Sequence, residues 1–150
     1  MHERSDKWSV GEWMTPNPDT VTPDTSVRTA FFRMRTEGVR HLPVVDDGKL
    51  VGMVTDRDLR RPDLTDEPDG WHDFYRLDED YEVRHVMTTD VATARTSDRL
   101  EKVVSTLVEH KFGALPVVDK NGSLIGILTT YDLLSAFGSA LAQAGDGLRG

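Results

Sequence analysis

The sequence predicts an α/β chain built as a tandem pair of similar units, each running strand, helix, strand, strand, helix. Three observations carry that prediction. A seven-residue stretch occurs twice, Gly52-Met53-Val54-Thr55-Asp56-Arg57-Asp58 and Gly126-Ile127-Leu128-Thr129-Thr130-Tyr131-Asp132, each reading Gly, two apolar residues, Thr, two variable residues, Asp. Upstream of each copy stands the same apolar strand, Leu42-Pro43-Val44-Val45-Asp46 and Leu115-Pro116-Val117-Val118-Asp119. Upstream of each strand an apolar stripe recurs at helical spacing. Two copies of about fifty residues are too few for a solenoid and point to a pseudo-twofold pair.

Residues 1–9 are polar and mixed in charge, a frayed or loosely docked arm from which Trp8, with Trp13 just beyond, is available to pack on the body. The first repeat spans 10–61 and includes Met14-Thr15-Pro16, then Thr20-Val21-Thr22, a short β-prone piece bounded by prolines. Asp24, Thr25 and Ser26 offer caps for the next helix. Val27, Ala30, Phe31 and Met34 follow the i, i+3, i+4, i+7 pattern of one buried face, and Gly38 is its stop signal. An apolar strand over Val39 to Val45 carries Pro43, which places it at a strand start or edge. Asp46-Asp47-Gly48 makes the hairpin turn, and Leu50 to Thr55 returns.

The second repeat, 83–138, retraces this path. Met87-Thr88 answers Met14-Thr15 at a spacing of 87 − 14 = 73, and Leu115 answers Leu42 at the same spacing. One extra turn residue in Asp119-Lys120-Asn121-Gly122 shifts the later match to 126 − 52 = 74, an insertion where a hairpin tolerates it. The helical face recurs as Leu100, Val103, Val104 and Leu107, with Asp98 and Glu101 available for its cap. After Asp132 a helix through Leu133, Leu134, Phe137 and Leu141 presents more apolar surface than a lone helix end requires. The tail 139–150 ends in Gly145 to Gly150, which reads as disordered.

Composition narrows the function classes. At 150 residues the chain suits one compact domain or two small halves sharing a core. A formal net charge of -8 argues against a non-specific nucleic-acid binder. The absence of Cys excludes disulfides, thiolate metal sites and a Cys nucleophile. No run approaches the length needed to span a bilayer, and the expectation is a soluble cytoplasmic protein with no membrane partner. His72 with Asp73, His85, His2 and His110 show no paired ligand spacing, so no metal site is expected.

The chemistry concentrates where each strand ends in Thr and a helix begins. The first backbone N–H groups of a helix lack internal partners and favour negative charge, so phosphate is a natural guest there. Thr55 and Thr129 can add a hydroxyl, and Asp58 and Asp132, three residues on, present acceptor oxygens to a vicinal diol such as a ribose edge. The same Thr-x-x-Asp spacing is also that of a capping box, in which the third residue reaches back to the cap's own N–H. Both readings stand at this level.

Together these residues resemble CBS motifs, and the whole resembles a CBS pair, or Bateman module, of the small stand-alone bacterial or archaeal kind. The resemblance rests on Met14-Thr15, Leu42 to Asp46, Gly52 to Asp58 and Leu59, matched by Met87-Thr88, Leu115 to Asp119, Gly126 to Asp132 and Leu133. It implies a β-α-β-β-α plan per half, two small sheets packed with flanking helices about a pseudo-twofold axis, and a cleft on each side. In that family the cleft binds adenosyl ligands such as AMP, ADP, ATP or S-adenosylmethionine. The ribose-binding Asp falls on Asp58 and Asp132, and the phosphate-facing Thr on Thr55 and Thr129. The adenine would border Thr20-Val21 and Leu42-Pro43 in one half and Thr93-Ala94 and Leu115-Pro116 in the other. Core filling explains those apolar residues equally well.

The two sites are not equivalent in sequence. Arg40, His41 and Arg57 offer cations near the first, where Gly113, Ala114 and Tyr131 align near the second, so phosphate charge is expected to be met better in the first half, with Asp56 an unhelpful neighbour. Between the repeats, 62–82 is acidic and carries Trp71, Phe74 and Tyr75 at helical spacing, read as a turn packing its rings onto the domain, with a ligand lid or docking site as the alternative. The resemblance implies a homodimer formed through the terminal helices. The functional expectation is a regulatory sensor of adenine nucleotides, not an enzyme, that signals to a regulated protein. A ligand-independent scaffold, or a site for S-adenosylmethionine, NADH or a cyclic dinucleotide, is the alternative.

Overall fold

The computed structural model describes residues 7–60 and 81–149, and the stretch holding Trp71, His72, Asp73, Phe74 and Tyr75 lies outside them, as does His2. The chain divides into a continuous unit, Pro18–Val91, and a composite unit made of Met1–Asn17 with Ala92–Gly150.

In the continuous unit the predicted first strand is a single residue: Val21 bridges Val44 in parallel, giving its N–H to the Pro43 carbonyl (3.1 Å) and taking that of Val45 (2.8 Å). Helix α2 (Val27–Glu37) is capped by Ser26, whose hydroxyl accepts the Thr29 N–H, and it ends at Gly38 in the left-handed region at φ 69°. Its buried face is the predicted one, Val27, Ala30, Phe31 and Met34. Strand β1 (Thr15–Pro16) belongs to the composite unit; here strands β2 (His41–Asp46) and β3 (Lys49–Thr55) precede the short helix α3 (Asp56–Leu59). Strand β2 starts two residues later than the apolar run, because the Val39 N–H closes the end of α2 on the Met34 carbonyl at 3.0 Å. The β2–β3 turn puts Asp47 and Gly48 at φ 53° and 79°, the positive pair that a two-residue hairpin demands. Val21, Phe31, Leu42, Val44, Val54, Leu59 and Val83 form the core.

The composite unit repeats the plan. Ala94 bridges Val117 in parallel, helix α4 (Leu100–His110) follows, then β4 (Ala114–Val118), β5 (Leu124–Thr129) and α5 (Thr130–Arg149). Both hairpins shift register at the same repeat position, Val44/Val45 and Val117/Val118. The cap of α4 departs from expectation: its N-cap is Arg99 with no side-chain bond, since Asp98 closes the preceding turn on the Arg95 N–H (2.9 Å) and Glu101 pairs with Arg99. The terminal stretch expected to be disordered is helical as far as Arg149, because Ala140, Leu141, Ala142, Gln143 and Ala144 are strong helix formers that carry the helix through Gly145. The arm is docked from Lys7 onward. Trp8 stacks on Trp13 at 5.8 Å, its carbonyl accepts the Leu100 N–H, and Val10–Trp13 forms one helical turn, α1, with Val10 in the core.

The compact units do not follow the sequence repeats. The opening Met14-Thr15 of the first repeat lies on β5, in the order β1-β5-β4, while Met87-Thr88 of the second lies on β3 through the Met53–Thr88 bridge. This crossing accounts for the Gly that begins each seven-residue stretch. A Cβ at Gly52 would stand 2.8 Å from Met87 Sδ and 2.9 Å from the Thr88 carbonyl, and at Gly126 2.6 Å from Met14 Sδ and 3.0 Å from the Thr15 carbonyl. No helix among the described residues is long and apolar enough to cross a membrane.

Candidate functional site

Both Thr–Asp corners fold as capping boxes. Thr55 is extended at φ −115° and ψ 163°, which turns its side chain over the first turn of α3. Its Oγ1 accepts the Asp58 N–H (3.1 Å), and Asp58 Oδ2 accepts the Thr55 N–H (2.9 Å). At the second corner Thr129 Oγ1 accepts the Asp132 N–H (3.2 Å), while Asp132 Oδ2 accepts both the Thr129 N–H (2.9 Å) and its hydroxyl (3.1 Å). The first helical amides are also taken, Asp56 N–H by the Arg40 carbonyl (2.9 Å) and Thr130 N–H by that of Gly113 (3.1 Å). The open row of amides expected for a phosphate is therefore mostly spent, and α3, a single turn, contributes little dipole.

Capping does not exclude a ligand. An ionised carboxylate offers about four lone-pair sites. At Asp58 the cap uses one, which leaves Oδ1 without a partner among the described residues. The cap also fixes the carboxylate, so a diol would meet a group already oriented.

The structure brings the predicted cations of the first corner together unevenly. His41 lies opposite Thr55 across the β2–β3 ladder and is half-buried. Burial first and Arg40 second hold its imidazole below the ordinary histidine range, against the opposing pull of Asp58 and Asp56. Arg40 is anchored at the corner by its backbone, with an exposed side chain, and Arg57 projects into solvent from α3. Asp56 is not a free repulsive neighbour: its carboxylate takes the Arg60 guanidinium at 3.1 Å. At the second corner Ala114 lies opposite Thr129, and Tyr131 is 76% exposed.

Thr20-Val21 and Thr93-Ala94 run beside Pro43 and Pro116 through the bonds Val21 N–H to Pro43 (3.1 Å) and Ala94 N–H to Pro116 (2.9 Å). The side chains of Val21, Leu42, Ala94 and Leu115 are in the two cores, at most 2% exposed, so only their backbones can face a ligand. Two partners escaped the sequence reading. Arg33 donates to the Thr20 carbonyl at 2.6 Å. The Thr15 hydroxyl stands 3.3 Å from Asp132 Oδ1 and 3.5 Å from Oδ2. Its Met-Thr motif was visible, but nothing in a spacing of 117 residues says what it touches. Among the described residues no three metal-binding side chains converge.

A family model described as CBS domain matches residues 10–63 and 83–139. The chain is 36% identical over 150 residues to the CBS domain-containing protein CBSX2, chloroplastic, of Arabidopsis thaliana, covering 86% of this chain and 63% of the relative. It is 32% identical over 125 residues to the CBS domain-containing protein YhcV of Bacillus subtilis, covering 83% and 82%. The crystal structure of CBSX2 in complex with AMP matches with TM-score 0.75 at 37% identity, over 89% of this chain and 98% of that one. The CBS domain pair of protein MJ0100, in complex with 5-methylthioadenosine and S-adenosyl-L-methionine, matches with TM-score 0.69 at 25% identity, over 86% and 98%. The chain spans less than two thirds of several curated relatives, down to 21% of an inosine-5'-monophosphate dehydrogenase from Thermoplasma acidophilum.

Proposed function

The chain belongs to the CBS domain family, as a pair of such domains, and from that premise we propose that it is a regulatory module, not a catalyst, that binds an adenosyl nucleotide of the AMP, ADP or ATP class and passes its state to a regulated protein. The observation that carries this reading is the pair of fixed Thr–Asp corners, each closed by the same two reciprocal cap bonds, in a chain similar to a CBS protein solved with AMP. Asp58 and Asp132 take the ribose diol, and Thr55 and Thr129 face the phosphates. Pro43 and Pro116, with the backbones of Thr20-Val21 and Thr93-Ala94, border the base. His41, Arg40 and Arg57 supply positive charge at the first corner only. Ligand can bias the regulated partner only by its differential affinity for two states of this chain.

A thermal-shift panel of adenosine, AMP, ADP, ATP, S-adenosylmethionine, NADH and cyclic dinucleotides tests the proposal, since a ligand of the native state raises its melting temperature. A response confined to adenine nucleotides and lost in the Asp58→Ala, Asp132→Ala double variant is expected. A flat panel would turn the reading toward a ligand-independent scaffold. That second reading draws support from the composite unit, where Val104, Val108, Tyr131, Leu134, Phe137 and Leu141 on α4 and α5, with Phe112 just past α4, are 41–76% exposed. We propose a second copy of the chain as their occupant, because an isologous twofold contact is the commonest oligomer.

A further inference from the structure

We infer that Thr15 is a selecting residue that ranks the two corners, so that a ribose diol is taken at Asp58 in preference to Asp132; the inference rests on the adenosyl reading above. The ground is a count of donors against acceptor sites. Asp132 already receives three donors: the Thr129 N–H, the Thr129 hydroxyl and the Thr15 hydroxyl. A diol brings two more, and five donors exceed the roughly four lone-pair sites of a carboxylate. Asp58 receives one, the Thr55 N–H, so a diol raises its total to three and fits.

The difference arises from how the two crossing Met-Thr segments sit on their sheets. Thr15 and Pro16 form two ladder pairs with β5, opposite Ile127 and Gly126, and the Asn17 N–H extends the contact to the Ile125 carbonyl. This holds the Thr15 hydroxyl against the carboxylate at the start of α5. Its counterpart Thr88 makes a single bridge to Met53, with both backbone bonds at 2.9 Å, and its hydroxyl has no partner among the described residues. Two corners with the same Thr-x-x-Asp sequence thus differ in capacity through a residue outside that motif.

The experiment is calorimetric titration of the full chain with AMP. A hydrogen bond to a charged group is strong enough that its competition weakens a ligand about tenfold. The wild type is expected to show a tighter site abolished by Asp58→Asn and a site about tenfold weaker abolished by Asp132→Asn. Thr15→Val, which removes the hydroxyl and keeps the β-branched shape, is expected to tighten the weaker site about tenfold and leave the Asp58 site unchanged. Thr15→Ser, which keeps the hydroxyl, is expected to leave the two apart, and an unchanged melting temperature without ligand checks that each variant is folded. Equal sites in the wild type, or an unmoved weaker site in folded Thr15→Val, would overturn the selection and leave the adenosyl reading standing. No binding of AMP, nor of ADP or ATP in its place, to the wild type or any variant would overturn that reading and the selection with it.

Discussion

His41 is the cross-strand neighbour of Thr55, and in the composite unit the same place opposite Thr129 is held by Ala114. One corner therefore carries a titratable ring beside its capping Thr, and the other a methyl group. Burial, then Arg40, depresses the His41 pKa, so the unfolded chain binds a proton that the folded one resists. The contribution of this group to stability is fully present above the ordinary histidine value of about 6.5 and is lost as pH falls from there through the depressed value. Melting temperature is expected to fall from pH 7.5 to 5.5, and His41→Gln should flatten part of that slope. An identical slope in the variant would remove His41 as its source.

The same ring should tie phosphate binding to protons. An anionic ligand beside His41 favours the imidazolium and raises its pKa, so AMP affinity at the Asp58 corner is expected to increase as pH drops from 8 to 6.5, while adenosine stays level. Competitive titrations on His41→Ala and Arg57→Ala check this. Preference for AMP over adenosine that survives both changes would leave the cations of this corner without a role.

Loss of the diol acceptor should cost more than loss of a cation. Asp58→Ala removes hydrogen bonds to a charged group, worth about 1.5–3 kcal/mol, and AMP affinity should fall about tenfold or more. The same change also removes half of a capping box, worth about 1 kcal/mol of stability. Affinity and melting temperature measured on one sample separate the two effects, and a loss of stability alone would mean the corner only caps its helix.

Gly52→Ala places a Cβ 2.9 Å from the Thr88 carbonyl, a backbone atom that cannot step aside. Overpacking of this kind costs about 1–3 kcal/mol, read as a lower melting temperature. Gly126→Ala should cost a similar amount, because its Cβ would stand 2.6 Å from Met14 Sδ and 3.0 Å from the Thr15 carbonyl. Gly138, helical with nothing within 4 Å of an added Cβ, is the control: Gly138→Ala is expected to stabilise by up to about 1 kcal/mol. Equal losses at Gly52 and Gly138 would contradict the crossing explanation.

Leu134 and Phe137 are 67% and 60% exposed on α5, and the proposed self-association buries them. Leu134→Glu with Phe137→Glu is expected to convert a dimer to a monomer by light scattering, with no loss of melting temperature beyond that due to dissociation. A monomeric wild type would end the proposal.

Much of this protein was legible in one dimension because the signals are local. The stripe Val27, Ala30, Phe31, Met34 reports a helix through its period. Gly38 marks a stop through its backbone freedom, and Asp47-Gly48 a turn through its positive φ pair. Val21 and Leu42 were visible as apolar, but whether an apolar side chain fills a core or faces a ligand depends on what packs against it. The cap of α4 was misplaced for a related reason, since Asp98 had a competing backbone amide at Arg95 that spacing alone does not weigh.

By itself the sequence determined the two-copy plan, the hairpins, the helical faces and the paired Thr–Asp corners, all of which follow from interactions within about four residues or from a repeat laid beside itself. Tertiary structure alone decided which Met-Thr segment crosses which sheet, why a Gly must stand beneath each, and that the Thr15 hydroxyl reaches Asp132 while the Thr88 hydroxyl does not reach Asp58. Chain separation is the physical reason: a contact across 117 residues is set by the burial of the composite unit's whole core, and a lone hydroxyl carries no trace of it.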